Sequence, residues 1–149
     1  MGRVTDFLDQ GATDLAEDAR RLLLELDRDI PGVSNVTADC RPPLDVIETA
    51  SAVEVVMDVP GVSADSLRVA IRRNTLLVVG AKLAPAADTN ARFHLAERSY
   101  GRFARAVRLA GAFDAAHSRA VARAGQLRIT LPLIADRRGR IVPIAVERG

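Results

Sequence analysis

The sequence predicts an all-β fold, an antiparallel β-sandwich with a helical N-terminal arm and an extended C-terminal tail. Three observations predict it. Short runs that alternate apolar and polar residues recur from Leu44 to Leu131, separated by turn signals and without crossover helices between them. Aromatic residues are only 3% of a chain that is 48% hydrophobic, so the core is built from Val, Leu, Ile and Ala, a composition that suits pleated surfaces. The 149 residues give room for one domain of about a hundred residues plus tails, and a core of that size stands without staples.

The arm comes first. From Thr13 to Arg28 the spacing is helical, with Leu15, Ala19, Leu22, Leu23 and Leu26 on one face and Asp14, Glu17, Asp18, Arg21 and Glu25 elsewhere. Thr13 caps its start and Pro31-Gly32 ends it. Leu8, Leu15 and Leu22 also recur at heptad spacing, so a short coiled coil stands beside a simple packing helix as a reading; Ala12 and Ala19 between them favour the packing helix. Ser34 to Pro43, polar with prolines, reads as a linker.

The strands follow. Leu44 to Thr49 is a short strand and Ala52 to Val59 a stronger one, with Val53, Val55, Met57 and Val59 inward and Glu54 and Asp58 outward; Pro60-Gly61 closes it. Leu67, Val69 and Ile71 alternate with Arg68, Ala70 and Arg72, and Asn74 marks a tight turn into Leu76 to Val79, an apolar run buried on both faces that Gly80 ends. Ala81 to Arg92 is polar and alanine-rich and reads as a mobile loop, with a strand at Arg92 to Ala96 upon it. Arg119 to Arg123 and Gln126 to Leu131 form a hairpin across Ala124-Gly125, with Leu127, Ile129 and Leu131 buried and Pro132 as a stop.

Between the loop and that hairpin lies a long half-buried strand, Glu97 to Leu109, with Phe103, Val107 and Leu109 on one face. Arg105 shares their phase, and a guanidinium beside a core needs a carboxylate or a wet interface. Two readings stand: Arg105 snorkels to water at a sheet rim, or it belongs to a subunit interface where a partner chain supplies the acid, with Glu97 a candidate. The tail, Ile141 to Val146, places Val142, Ile144 and Val146 on one face of an extended strand. Pro143 excludes a central strand, so the segment reads as an edge added to another sheet, against the alternative of an ordinary last strand.

Several function classes are excluded. The net charge of +2 leaves no nucleic-acid footprint, and Cys40, alone, forms no intrachain disulfide or four-cysteine metal site. His94 and His117 are the only histidines, without a Cys or carboxylate at ligand spacing, and phosphate loops, nucleophile elbows and zinc-protease helices are absent. No cofactor is expected, and His94, between Phe93 and Leu95, reads as an interface residue rather than a base. Without a signal peptide or a membrane-spanning run, a cytoplasmic protein is expected.

Glu97-Arg98-Ser99-Tyr100-Gly101-Arg102-Phe103-Ala104-Arg105, followed by Val107-Arg108-Leu109, resembles the strand at the dimer interface of the small heat-shock proteins, the α-crystallin family, in which the arginine matching Arg105 is an interface residue. Asp58-Val59-Pro60-Gly61-Val62 resembles the family's Asp-Leu-Pro-Gly-Val turn, Leu76 to Gly80 with Lys82 its Leu-x-x-x-Gly-x-Lys strand end, and Ala124-Gly125-Gln126-Leu127 stands at its Gly-Val-Leu. Ile144-Ala145-Val146 is similar to its tail motif, with Val142-Pro143-Ile144 a second register. Gln126, Ala110 and an arm whose single aromatic is Phe7 depart from the family's pattern.

The resemblance covers roughly Pro42 to Pro132 and implies an arm at 1–41, an immunoglobulin-like α-crystallin domain at 42–132 and an extension carrying an assembly motif at 133–149. It implies an ATP-independent holdase, built as dimers into larger homo-oligomers, whose partners are its own copies and unfolded or destabilised clients. Arg92, Phe93, His94 and Leu95 would swap onto the partner, joined at the interface by Glu97 and Arg105. The tail residues Val142, Ile144 and Val146 would dock in a groove at Val69, Ile71 and Val121. Clients would be held by Phe7, Leu8, Leu15, Leu22, Leu23 and Leu26, packed between arms at rest and freed by heat, or by that groove once the tail leaves. The alternative is a structural or adaptor sandwich serving one dedicated partner.

Overall fold

The computed structural model describes residues 16–25, 28, 40–86, 88–134 and 141–149. Two sheets stack on a core of aliphatic side chains. One sheet runs in the order β1 (Leu44–Glu48), β2 (Ala52–Asp58), β8 (Gln126–Ile134), β7 (Arg119–Arg123) and β10 (Val146–Arg148), with the short β6 (Ala112–Phe113) pairing the far end of β8. The other runs β5 (Gly101–Arg108), β4 (Thr75–Lys82), β3 (Leu67–Arg72) and β9 (Ile141–Ile144). The pairs are antiparallel except β7 with β10, which is parallel.

Alternation decides what lies inside. Val53, Val55 and Met57 of β2 meet Leu127, Ile129 and Leu131 of β8 across the ladder, and all six belong to the core together with Leu67, Val69, Ile71, Leu76, Val78 and Phe103 from the facing sheet. Strand β4 is buried on both faces. Its inner residues Leu76 and Val78 join this core, while Leu77 and Val79 form a second cluster with Ala70 and Leu22, placing the helix of residues 16–25 against the outside of β3 and β4.

The turns obey backbone sterics. The β7–β8 hairpin closes through Ala124 and Gly125, both at positive φ (51° and 76°), as a two-residue turn matched to strand twist requires. Arg73, rather than Asn74, carries the positive φ of the β3–β4 turn.

Four expectations about strand ends are corrected. Strand β4 runs through Gly80 to Lys82, because the missing side chain lets Phe103 and Leu67 lie over it: a Cβ there would meet Phe103 at 2.5 Å and Leu67 at 2.9 Å. Strand β5 begins at Gly101 and not at Glu97, since Lys82 opposite Gly101 is the last pair that β4 offers. Pro132 does not end β8. Its absent donor falls in the gap between β7, which reaches Thr130, and β6, which starts opposite Leu133; its carbonyl accepts from Asp114 N at 2.8 Å and the strand continues. Residues 92–96 form no strand, having no edge beside them in one chain.

Two substitutions follow. Ala124→Asn should raise thermal stability by about 1 kcal/mol, because asparagine tolerates the left-handed conformation that alanine occupies at a cost. Gly80→Ala should lower it by about 1–3 kcal/mol through overpacking against Phe103; equal melting temperatures for either variant and the parent would contradict these assignments.

Candidate functional site

The sandwich leaves two edges near each other, β3 of one sheet and β7 of the other, and the tail occupies both. Strand β9 adds to β3 with Ile144 opposite Val69 and Val142 opposite Ile71. At Ala145 the chain crosses between sheets, and β10 continues along β7 with Val146 opposite Ala120 and Arg148 opposite Ala122. Pro143 sits in an edge strand, where a missing donor is tolerated. Within one chain the tail thus has partners in its own domain, as the alternative reading of an ordinary last strand has it.

Ile144 is 6% exposed and belongs to the main core, and Val146 packs partly buried against it, so of the two registers Ile144-Ala145-Val146 is the one that spans the gap between the sheets. Burying an isoleucine contributes about 1.5–3 kcal/mol. The polar contacts add less: Arg119 donates to Glu147 Oε2 at 2.7 and 3.1 Å in solvent, and Arg148 stands 3.6 Å from Asp65. Val69 and Ile71 are buried beneath the tail. Val121 lies on the outward face of β7, in phase with Arg119 and opposite Glu147, and Ala120 is the fully buried residue beneath Val146. Its phase with Arg119 and Arg123 was the available signal.

Arg105 is half-buried on β5, opposite Val78, and its Nη1 donates to the carbonyl of Pro42 at 2.6 Å. The partner found within the chain is therefore a backbone oxygen and not a carboxylate. That bond fixes the lead-in to β1, the outer edge of its sheet, where Val46 and Ile47 are exposed. Arg92, Phe93, His94, Leu95 and Glu97 all lie exposed on the segment before β5, with Phe93 78% and Leu95 74% accessible. The segment's root is held by Tyr100, whose ring lies 5.8 Å from the Lys82 ammonium and 5.2 Å from the Arg98 guanidinium.

In the arm, Leu22 is buried and Leu23 partly buried on the chain's own sheet. Phe7, Leu8, Leu15 and Leu26 lie outside the described residues.

The sequence pattern of the Hsp20/alpha crystallin family matches residues 45–145, the span that includes both sheets and the start of the tail. The chain belongs to this family. It is similar to the 18.9 kDa heat shock protein of Oryza sativa subsp. japonica, 36% identical over 68% of this chain and 59% of that protein. It is also similar to the small heat shock protein C4 of Rickettsia felis, 31% identical over 61% of this chain and 56% of that protein. The chain thus spans less than two thirds of these relatives' lengths. Among solved structures, heat shock protein 16.0 from Schizosaccharomyces pombe superposes with a TM-score of 0.61 at 25% identity, covering 68% of this chain and 94% of that one. The hspA structure from Xanthomonas axonopodis gives 0.57 at 28% identity, covering 64% and 96%.

Small heat-shock proteins are non-enzymatic chaperones, and the histidines of this member fit that class. His94 is exposed. Contrary to expectation, His117 does have a carboxylate beside it, three residues earlier in the chain: its Nδ1 lies 2.5 Å from Asp114 Oδ2, and Asp114 also accepts from His117 N at 3.3 Å, capping the short 3-10 turn Ala115–His117. The hydrogen bond from His117 holds the Asp114 carboxyl below its ordinary range, so the cap is intact at neutral pH and is lost as acid protonates the carboxylate. Among the described residues no cluster of three or more His, Cys, Asp or Glu is placed to hold a metal, and no helix is long and apolar enough to cross a membrane.

Arg105→Gly should cost about 1–3 kcal/mol by removing a charge-assisted bond to Pro42. Hydrogen exchange at β1 should accelerate first; unchanged exchange there would show that Arg105 does not hold this edge.

Proposed function

We propose that this small heat-shock protein is an ATP-independent holdase that keeps unfolding proteins from aggregating, built from dimers that join into larger oligomers. The observation that carries the reading is the groove between β3 and β7, which is apolar enough to bury Ile144 and is filled by the terminal strands β9 and β10. A holdase needs apolar surface that is covered at rest and uncovered under stress, and a plug joined to the domain by one short segment meets that need. The register that seats Ile144 on Val69 within one chain also serves between chains, which gives the oligomer its link.

The dimer contact follows from the exposed side chains. Phe93 and Leu95 stand on an unpaired segment, and β1 presents an open edge with Val46 and Ile47 exposed. Adding residues 92–96 of one copy to β1 of another pairs both backbones and lets Phe93 and Leu95 pack on whichever of Val46 and Ile47 shares their face. Arg105 then acts by holding β1 in place through Pro42, with Glu97 of either copy available to its remaining donors. The arm 1–41, the domain 42–132 and the extension 133–149 divide the work into client contact, dimer and assembly, in the cytoplasm.

Aggregation of a heated model client, followed by light scattering with and without ATP, tests the activity. Protection at near-stoichiometric ratios, the same with or without ATP, is expected. No protection at any ratio would contradict the holdase and move weight to a dedicated structural partner. Cutting after Gly139, or replacing Ile144 and Val146 with Ser, should reduce the oligomer to dimers with the sandwich folded; an unchanged size would place assembly elsewhere.

A further inference from the structure

The outer surface of β3 and β4 is built to receive a helix. Leu77, Val79 and Ala70 form an apolar floor, and Leu22 is pressed into it with Ala19 and Leu23 alongside. The contact is not only apolar. Asp18, one helical turn before Leu22, is 5% exposed, and its Oδ2 faces Nε of Arg72, the last residue of β3, at 3.4 Å, while Oδ1 accepts from Arg21 at 3.0 Å. A carboxylate is not buried there without a fixed counter-charge. The floor therefore recognises a leucine and Arg72 recognises an acid four residues ahead of it, two points on one helix face.

We propose that this outer face is a receptor for an amphipathic helix with an acid four residues before a leucine. At rest the chain's own 16–25 helix fills it; when that helix leaves, a matching segment of an unfolding protein takes its place. The identity of that visitor rests on the holdase reading, but the receptor itself does not. The resident helix is suited to leaving, because Leu22 is its one deeply buried aliphatic side chain among the described residues, and helical order in water depends largely on such packing. Leu22 and Glu25 also line an open cleft together with Pro143, Ile144 and Val146, so the helix and the tail adjoin on β3.

The test uses the full chain carrying Asp18→Lys, which sets a cation against Arg72 and Arg21 and opens the receptor. The probe is a fluorescein-labelled peptide of the chain's own residues 13–28, followed by anisotropy. Saturable binding to the variant is expected, roughly tenfold weaker for the unsubstituted chain, whose helix competes, and roughly tenfold weaker for a peptide bearing the same Asp18→Lys change. Trypsin should cut after Arg20 and Arg21 faster in the variant, and adding Arg72→Glu to it should restore slow cleavage. Leu22→Ser opens the receptor by a second route and should bind the same peptide. Absence of binding to both opened chains, or equal binding of the two peptides, would overturn the receptor. Saturating peptide should also abolish client protection by the opened chain; protection that persists would overturn the visitor. Peptide binding by a chain that protects no client at all would leave the receptor standing and refute only the holdase.

Discussion

Strand β3 is used on every side it has, and the rest of the structure depends on that. Its inner residues Leu67, Val69 and Ile71 close the core, its outer residue Ala70 lies under the arm helix, one edge pairs with β4, and the other pairs with the tail. A strand in this position is less stable without its covers, since unpaired backbone groups and open apolar surface both cost free energy. The two covers come from opposite ends of the chain.

This arrangement separates what must stay folded from what must come and go. The ladders of β2 with β8 and of β3 with β4 hold the largest buried side chains, and their backbone pairing includes neither the arm nor the tail. The helix and the tail are held by one deeply buried aliphatic side chain each, Leu22 and Ile144, beside a buried carboxylate, Asp18, that faces Arg72 at the helix and a solvent-exposed pair, Arg119 with Glu147, at the tail. Local opening at free energies well below that of global unfolding is therefore built into the two elements that cover β3. In the proposed holdase, heat then uncovers apolar surface before the sandwich melts.

The sandwich was largely legible in the sequence, because period-two alternation with valine, leucine and isoleucine states which face is inward. The run Leu76 to Val79 even announced burial on both faces. Its cover did not, since nothing local to β4 says that a helix distant in the chain supplies it. Arg105 was recognised by its phase, but its partner is a peptide carbonyl, which every residue possesses and no pattern distinguishes. In the groove, the family resemblance points to the branched side chain of Val121, whereas the wall of β7 that faces Val146 is the small Ala120, and its phase opposite the arginines is the better guide. Pro132 and Gly80 read as stops because composition cannot show that a donor points into a gap or that a ring needs the space. The arm helix was legible, and only its inward seat on the chain's own sheet was not.

Hydrogen exchange of the β3 amides, followed by mass spectrometry at resting temperature and at the temperature where a client is first held, tests the central claim most directly. The β3 amides that bond to the tail strand, as distinct from those that bond to β4, should be protected at rest, exchange on heating while those of β2, β4 and β8 stay protected, and regain protection when client is added. Exchange at these amides that stays as slow as that of β8 on heating, before client is added, would contradict the account, as would all strands opening together.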